Sequence, residues 1–234
     1  MKYMIHSYPK RMWYVENYLV PSLIEQGIKE ENIYIFNDSN GRGNLQAYLD
    51  SLDYIINNLS DEEGLWHLQD DVIICRNFKE KTENQPKDKV VNGFVNKLYE
   101  HKELSGEVNV KNYWYSFPCV YIPNKYLKEF MGWVDIVKDK VIYSKRYYEN
   151  RYDDYFFYKY LIKIHERDTM INLKPNLVDH IDYLLGGTTG TRRNIPVRAL
   201  YFEDLDLVKK LERRVKNELS QTIQKTKKVR KEKS

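Results

Sequence analysis

Along the first seventy residues the apolar positions change period four times. Met1 to Ser7 reads as a short strand closed by Pro9, and Val15, Tyr18, Leu19 and Leu23 then recur at helical spacing until Gly27. Ile33 to Phe36 is β-rich and runs into Asn37-Asp38-Ser39-Asn40-Gly41, a cluster of turn formers. Leu45, Leu49, Leu52, Ile55, Ile56 and Leu59 mark a second helix, and Gly64 precedes a third strand, Leu65 to Leu68, that ends in Gln69-Asp70-Asp71. Strand, helix, strand, helix, strand predicts an α/β domain on a mostly parallel central sheet flanked by helices. Such sheets take ligands outside the carboxyl ends of their strands. Asp38, Asp70 and Asp71 fall at those ends.

The later pattern is less regular. Residues 79–89 are polar and read as a surface excursion. Tyr113 to Ile122 is aromatic and β-like, and Pro123 and Asn124 open a helix carrying Tyr126, Leu127, Phe130 and Trp133. Asp153 to His165 reads as a helix with Phe156, Phe157, Tyr160, Leu161 and Ile164 inward. Ile171 to Leu173 and Leu177 to Ile181 read as short strands flanking Pro175, followed by the glycine-bearing loop LLGGTTGTRR from Leu184. Leu205, Val208, Leu211, Val215, Leu219 and Ile223 recur every three or four residues. They divide the chain into a body over 1–204, an amphipathic helix over 205–223 and a tail over 224–234 that is too polar to fold alone.

Charge sharpens that division. The 234 residues carry a formal +4, yet Lys209 to Ser234 holds 11 basic residues against three glutamates. The tail region is therefore +8 and the remainder −4: a mildly acidic body with a basic end. Charged residues at 31% and no apolar run of the roughly 18–20 residues that span a bilayer exclude a membrane-spanning protein. The start of the chain lacks the apolar stretch of a signal peptide, and the expected compartment is the cytoplasm, a host's if the chain is phage-encoded. Cys75 and Cys119 form no CxxC pair and read as buried thiols.

The main chemical candidate is Asp70-Asp71 after an apolar strand. Adjacent carboxylates in a confined site need a cation, and Mg²⁺ or Mn²⁺ binds through one or two carboxylates and completes its shell with phosphate oxygens. The bland alternative is a solvated acidic turn. His180, beside Asp179 and Asp182, is a candidate ligand for a transition ion; His6, His67, His101 and His165 read as structural. Asp153 and Asp154 open a helix, where they serve as cap and dipole partner, as general base, or as both. Gly186 to Gly190 with Arg192 and Arg193 is suited to hold phosphates through backbone amides and guanidinium forks.

Taken in order, these features resemble a family. HSYPKR after the first strand, FNDSNGRG, LWHLQDDVIICRNF, a Trp/Tyr-rich segment, YDDYFFYKYL and a late P-x-L-V-x-H follow one another as in nucleotide-sugar-dependent glycosyltransferases of the A-type (GT-A, Rossmann-like) fold. The small forms of phages and bacteria are the most similar, and the resemblance covers about residues 1–204. It implies an enzyme with Mn²⁺ or Mg²⁺ on Gln69-Asp70-Asp71, where the family usually has Asp-x-Asp or Glu-Asp-Asp. Asp71 would ligate the metal, Asp70 would contact metal or ribose, and His180 would be a late ligand. Arg11 and Asp38 would line the pocket of the nucleotide-sugar donor, with Gly187, Arg192 and Arg193 on its phosphates. Asp153 or Asp154 would be the base, with Trp114, Tyr115 and Trp133 stacking on acceptor or base. The basic tail suits DNA as acceptor, such as a hydroxylated base in phage DNA, with surface polysaccharide or a protein side chain next; a merely solubilising terminus and an anionic membrane surface are the other readings of the tail. Two rival readings are a metal-dependent nuclease built on Asp38, Asp70, Asp71 and Asp153, and a non-enzymatic nucleic-acid-binding module that uses only the tail.

Overall fold

The computed structural model describes residues 1–41, 43–60, 62–97, 105–110, 117–142, 153–185 and 198–231. Its first third follows the periodicity. Strand β1 (Lys2–Ser7) leads through a short 3₁₀ turn that starts on Pro9 into α1 (Met12–Tyr14) and α2 (Val20–Glu25). Between α1 and α2 the helix widens into a π turn over Val15–Leu19. Pro21 explains that: it has no N–H to give the carbonyl of Asn17, and its ring crowds that carbonyl. Gly27 closes the run at φ +87°, which lets Ile28 N–H reach back to Leu23 O at 3.1 Å. Strand β2 (Ile33–Asn37), α3 (Asn44–Ile56) and β3 (Gly64–Gln69) complete the parallel unit.

Farther along come β4 (Val72–Ile74), α4 (Phe78–Glu83), β5 (Val91–Asn92), β6 (Gly106–Asn109) and β7 (Cys119–Pro123). They are followed by α5 (Asn124–Ile142), α6 (Asp153–Ile164), β8 (Thr169–Asn172), β9 (Val178–His180), α7 (Asp182–Leu185) and α8 (Leu205–Lys231). The stretch expected as a polar excursion therefore begins in a helix. Phe78, just ahead of it, is fully buried and anchors α4, whose Lys, Glu and Thr residues hide the signal. Helix α8 starts at Leu205 but runs past Ile223 to Lys231, because Gln, Lys and Arg sustain a helix once it is nucleated.

Seven strands form one mixed sheet in the order β2-β1-β3-β7-β5-β8-β6. β1 lies parallel to both β2 and β3, β5 lies parallel to β8, and β7 and β6 run antiparallel to their neighbours. Five of the seven strands thus point the same way. Alternation along the strands makes two cores. Tyr3, Ile5, Trp66 and Leu68 pack with Tyr14, Leu19 and Leu23 on one face, which α8 also covers through Val208 and Val215. Met4 and Leu65 pack on the other, against Leu49 and Leu52 of α3, Phe130 of α5 and Phe157 of α6. The result is an α/β domain with helices on both faces of the sheet. A small antiparallel ribbon, β4 with β9, sets Val72 opposite His180. No described helix is long and apolar enough to cross a membrane.

Candidate active site

Parallel pairing aligns the carboxyl ends of β1, β2 and β3, and the polar residues just beyond them meet there. Asp70 and Asp71 are both buried, at 4% and 3% exposure, so the solvated-turn alternative does not describe them. Arg11, from the turn after β1, is buried between them. Its Nη1 donates to Asp70 Oδ1 at 2.8 Å and also to Asp71 Oδ2. The other Asp70 oxygen accepts from Tyr8 N–H at 2.7 Å and from the Ser7 hydroxyl at 3.2 Å. Both oxygens of Asp70 are thus engaged in fixing Arg11 and the start of the turn.

Burial raises the pKa of each carboxyl, yet the two end on opposite sides of their ordinary value. Asp71 faces both the His180 imidazole and the Arg11 guanidinium, which outweigh burial and hold it down to about 2. Asp70 is raised by burial and by the Asp71 charge beyond what Arg11 and the Tyr8 amide return. Asp71 is the firm anion of the pair.

The β4–β9 ribbon delivers His180 to Asp71. Nε2 lies 3.0 Å from Asp71 Oδ1, and Nδ1 faces Asp182 Oδ1 at 3.4 Å. Burial lowers the imidazole pKa, but Asp71 and Asp182 more than reverse this and carry it up to about 10. Without a metal, His180 is a counter-cation of Asp71; as a ligand it would give up that proton. Next to it, Asp179 is buried and accepts from Ala199 N–H at 2.8 Å and Arg198 Nε at 2.7 Å, which anchors the chain after residue 197. Asp38 belongs to the same edge. Its N–H donates to Ser7 O at 3.0 Å, and its side chain accepts from Gly43 N–H at 3.0 Å, closing the turn after β2. Ser7 therefore links Asp38 to Asp70.

Of the Mn²⁺ or Mg²⁺ implied by the resemblance, Mn²⁺ fits this donor set better, because one donor is an imidazole. Asp71 Oδ1 accepts no hydrogen bond among the described residues, and neither His180 Nδ1 nor Asp182 Oδ1 completes one. Two adjacent ligands of an octahedral ion at about 2.1 Å stand about 3.0 Å apart, the spacing of Asp71 Oδ1 and His180 Nε2. Asp182 sits where it would orient the imidazole from behind.

No family model matches this chain, and no curated protein does. Among the solved structures that are similar is LicC, the CTP:phosphocholine cytidylyltransferase of Streptococcus pneumoniae, at 12% identity and a TM-score of 0.40, over 77% of this chain and 93% of that one. The fold assignment rests on the strand order and cores described above.

Asp153, at the start of α6, lies apart from Arg11. It is 1% exposed, and its Oδ2 is 3.7 Å from His6 Nδ1. His6 and Ser7 are consecutive in β1 and so face opposite sides of the sheet. Asp153 is on the His6 side, whereas Ser7 touches Asp70. The four acids of the nuclease reading are thus divided between two groupings. Burial raises the Asp153 pKa, but His6 and His67 outweigh it and the net direction is down. His6, His67 and Asp153 each offer an atom within 4.8 Å of the others, a grouping that can hold a metal ion. Asp154 is half-buried. Trp133 packs on Phe156 at 5.1 Å and Tyr160 at 6.0 Å between ring centroids, so part of its surface goes to the core. Trp114, Tyr115, Gly187, Arg192 and Arg193 lie outside the described residues. A cavity of about 850 Å³ opens between α2, α4 and α8, and none of the acids discussed here lines it.

Sequence reasoning passed over His6, His67 and Ser7. Each looks structural on its own strand, and only the β1–β3 register joins them to the carboxylates.

Proposed function

We propose that this chain is a metal-dependent transferase acting on a nucleotide-activated donor. More specifically, it is a glycosyltransferase that moves a sugar from a nucleotide sugar, a UDP-sugar first among them, to an acceptor hydroxyl. The observation that carries this reading is the Arg11–Asp71–His180 constellation at the carboxyl end of β3. It combines an ionised carboxylate, an imidazole and a guanidinium where a parallel sheet receives ligands, and a diphosphate needs such a set. The motif order described under Sequence analysis supports the same class.

Asp71 and His180 would hold Mn²⁺ or Mg²⁺, with Asp70 fixing Arg11 beside them. When bound, the ion supplies charge stabilisation to the departing diphosphate. Asp38 would line the nucleotide pocket, and the resemblance assigns Gly187, Arg192 and Arg193 to its phosphates. A carboxylate of Asp153-Asp154 takes the proton of the acceptor hydroxyl as its oxygen bonds to the anomeric carbon. The bond from that carbon to the diphosphate oxygen breaks on the opposite side, which inverts the centre. The aromatic side chains Trp114, Tyr115 and Trp133 are assigned to the acceptor by residue type alone. The acceptor we favour is a hydroxylated base in DNA, drawn in by the basic tail.

Incubation with Mn²⁺ and a panel of nucleotide sugars, followed by assay of free nucleoside diphosphate, tests the reading. Slow donor hydrolysis that Asp71→Ala abolishes is expected. No binding of any donor in the panel would defeat it, and DNA cleavage without a donor would favour the nuclease. Removal of residues 225–234 deletes six basic side chains. The slope of log affinity for DNA against log salt should then become shallower by up to about five. An unchanged slope would leave the tail with no part in acceptor capture.

A further inference from the structure

The β1–β3 register has a second consequence. Met4 pairs with His67 and His6 with Gln69, so the two histidines project from the same face of adjacent parallel strands, one step apart. Their ring centroids are 6.4 Å apart. The face they share is the apolar one built on Met4, Leu65 and Phe117, closed over by α3 and α6. Into this layer α6 introduces its first residue, Asp153. His6, His67 and Asp153 are 8%, 0% and 1% exposed.

For an apolar layer, the polar atoms are poorly provided for. Neither ring nitrogen of His67 has a hydrogen-bond partner among the described residues, although the main chain of Phe117 lies alongside. The Tyr48 hydroxyl has none either, and its ring sits edge-on to His67 at 5.2 Å. A fully buried imidazole that has at most the Phe117 main chain to bond among the described residues is an anomaly unless something binds it.

We propose that His6, His67 and Asp153 form a site for one zinc-class dication, separate from the Asp71–His180 site, with the Tyr48 hydroxyl bordering its open position. The donor chemistry selects the class. Two imidazoles and one carboxylate suit Zn²⁺, Fe²⁺, Co²⁺ or Ni²⁺, whereas Mg²⁺ and Ca²⁺ prefer oxygen shells. The geometry is close to what such an ion needs. Donors at about 2.0–2.1 Å from a tetrahedral ion stand about 3.3 Å apart. His6 Nδ1 and Asp153 Oδ2 are 3.7 Å apart, and all three donors lie within 4.8 Å of one another. Small side-chain rotations close that difference.

The ion would tie together three elements far apart in sequence: β1, β3 and the start of α6. It would also commit Asp153 to ligation. Asp154 would then be the member of the pair left to act as base, a consequence that rests on the glycosyltransferase reading, whereas the metal site itself does not.

The test is a Co²⁺ titration of the full chain after chelation, read by visible absorption. One equivalent should produce the intense d–d band of a four-coordinate site, and Zn²⁺ should displace it. That band should survive Asp71→Asn and be lost in His67→Gln and in His6→Gln, each compared by circular dichroism with the parent. Zn²⁺ should raise the Tm of the parent and not that of a folded histidine variant. His6→Gln, at the rim of the layer, is the variant to rely on if His67→Gln does not fold. Absence of the band in the parent chain overturns the proposal. So does a band that Asp71→Asn removes and His6→Gln retains. Either result leaves the donor-hydrolysis assay free to succeed, so failure here and failure of the transferase reading are distinguishable.

Discussion

His180 Nε2 stands 3.0 Å from Asp71 Oδ1, and among the described residues that oxygen completes no well-aligned hydrogen bond. The two residues are 109 apart in the chain and meet because β4 and β9 form a ribbon that sets Val72 against His180. Two donors at this distance but out of hydrogen-bond alignment are arranged to face a common third partner. Asp71→Asn and His180→Ala should each weaken Mn²⁺ binding, read by electron paramagnetic resonance, by at least about tenfold. Unchanged Mn²⁺ affinity in both variants would remove the ion from this position.

Arg11 bridges two buried carboxylates, so its loss should cost more than an exposed ion pair does. Arg11→Ala leaves Asp70 and Asp71 in the same buried site without their guanidinium. The expected loss is about 3–5 kcal/mol in denaturant unfolding. Adding Asp70→Asn should recover part of it, since one buried charge is then gone. A loss below about 1 kcal/mol, the range of surface pairs, would mean that water reaches these groups freely.

Gly64 opens β3 directly beneath the Tyr121 ring. A Cβ at position 64 would overlap that ring, and Tyr121 is 1% exposed, with its hydroxyl donating to Lys87 O at 3.3 Å. Gly64→Ala should therefore destabilise by about 1–3 kcal/mol through overpacking. Tyr121→Leu should restore part of the loss in the double variant. Additive losses would show that the ring is not the obstacle.

Both cysteines should be silent toward thiol reagents in the folded protein. Burial pushes the Cys75 thiol up to about 11, with Lys81 pulling it back and Asp204 adding to the rise; Cys119 lies well above its ordinary value for the same first reason. At pH 8 a thiol of pKa about 11 is ionised in only about one molecule in 10³, and the thiolate is the reactive form. Iodoacetamide should label neither residue natively and both in denaturant. Any slow native labelling of Cys75 should rise with pH up to about 11. Prompt labelling at pH 8 would contradict the packing of β4 and β7.

Local pattern carried a good deal of this molecule. The periods of Val15 to Leu23 and Leu45 to Leu59, and the β-rich runs between them, placed the β1–β2–β3 unit to within a few residues. That placed Asp38, Asp70 and Asp71 at strand ends. The helix at Asp153 and the helix starting at Leu205 were legible for the same reason. Shorter elements were not. Val72–Ile74 and Val91–Asn92 are too brief to show a period, and α4 has charged residues where a pattern would look for an apolar stripe.

The sequence by itself determined the α/β class, the acidic body with its basic end, and which carboxylates stand at the sheet's carboxyl edge. These are local properties, set by the spacing of apolar side chains and by the turn residues that stop each run. Only the tertiary structure decided that Arg11 lies between Asp70 and Asp71, that His180 faces Asp71, and that His6 and His67 share a buried face with Asp153. Those contacts depend on strand register and on a ribbon between distant segments. A shift of one residue in the β1–β3 pairing would send the two histidines to opposite faces, and no pattern within either strand records that choice.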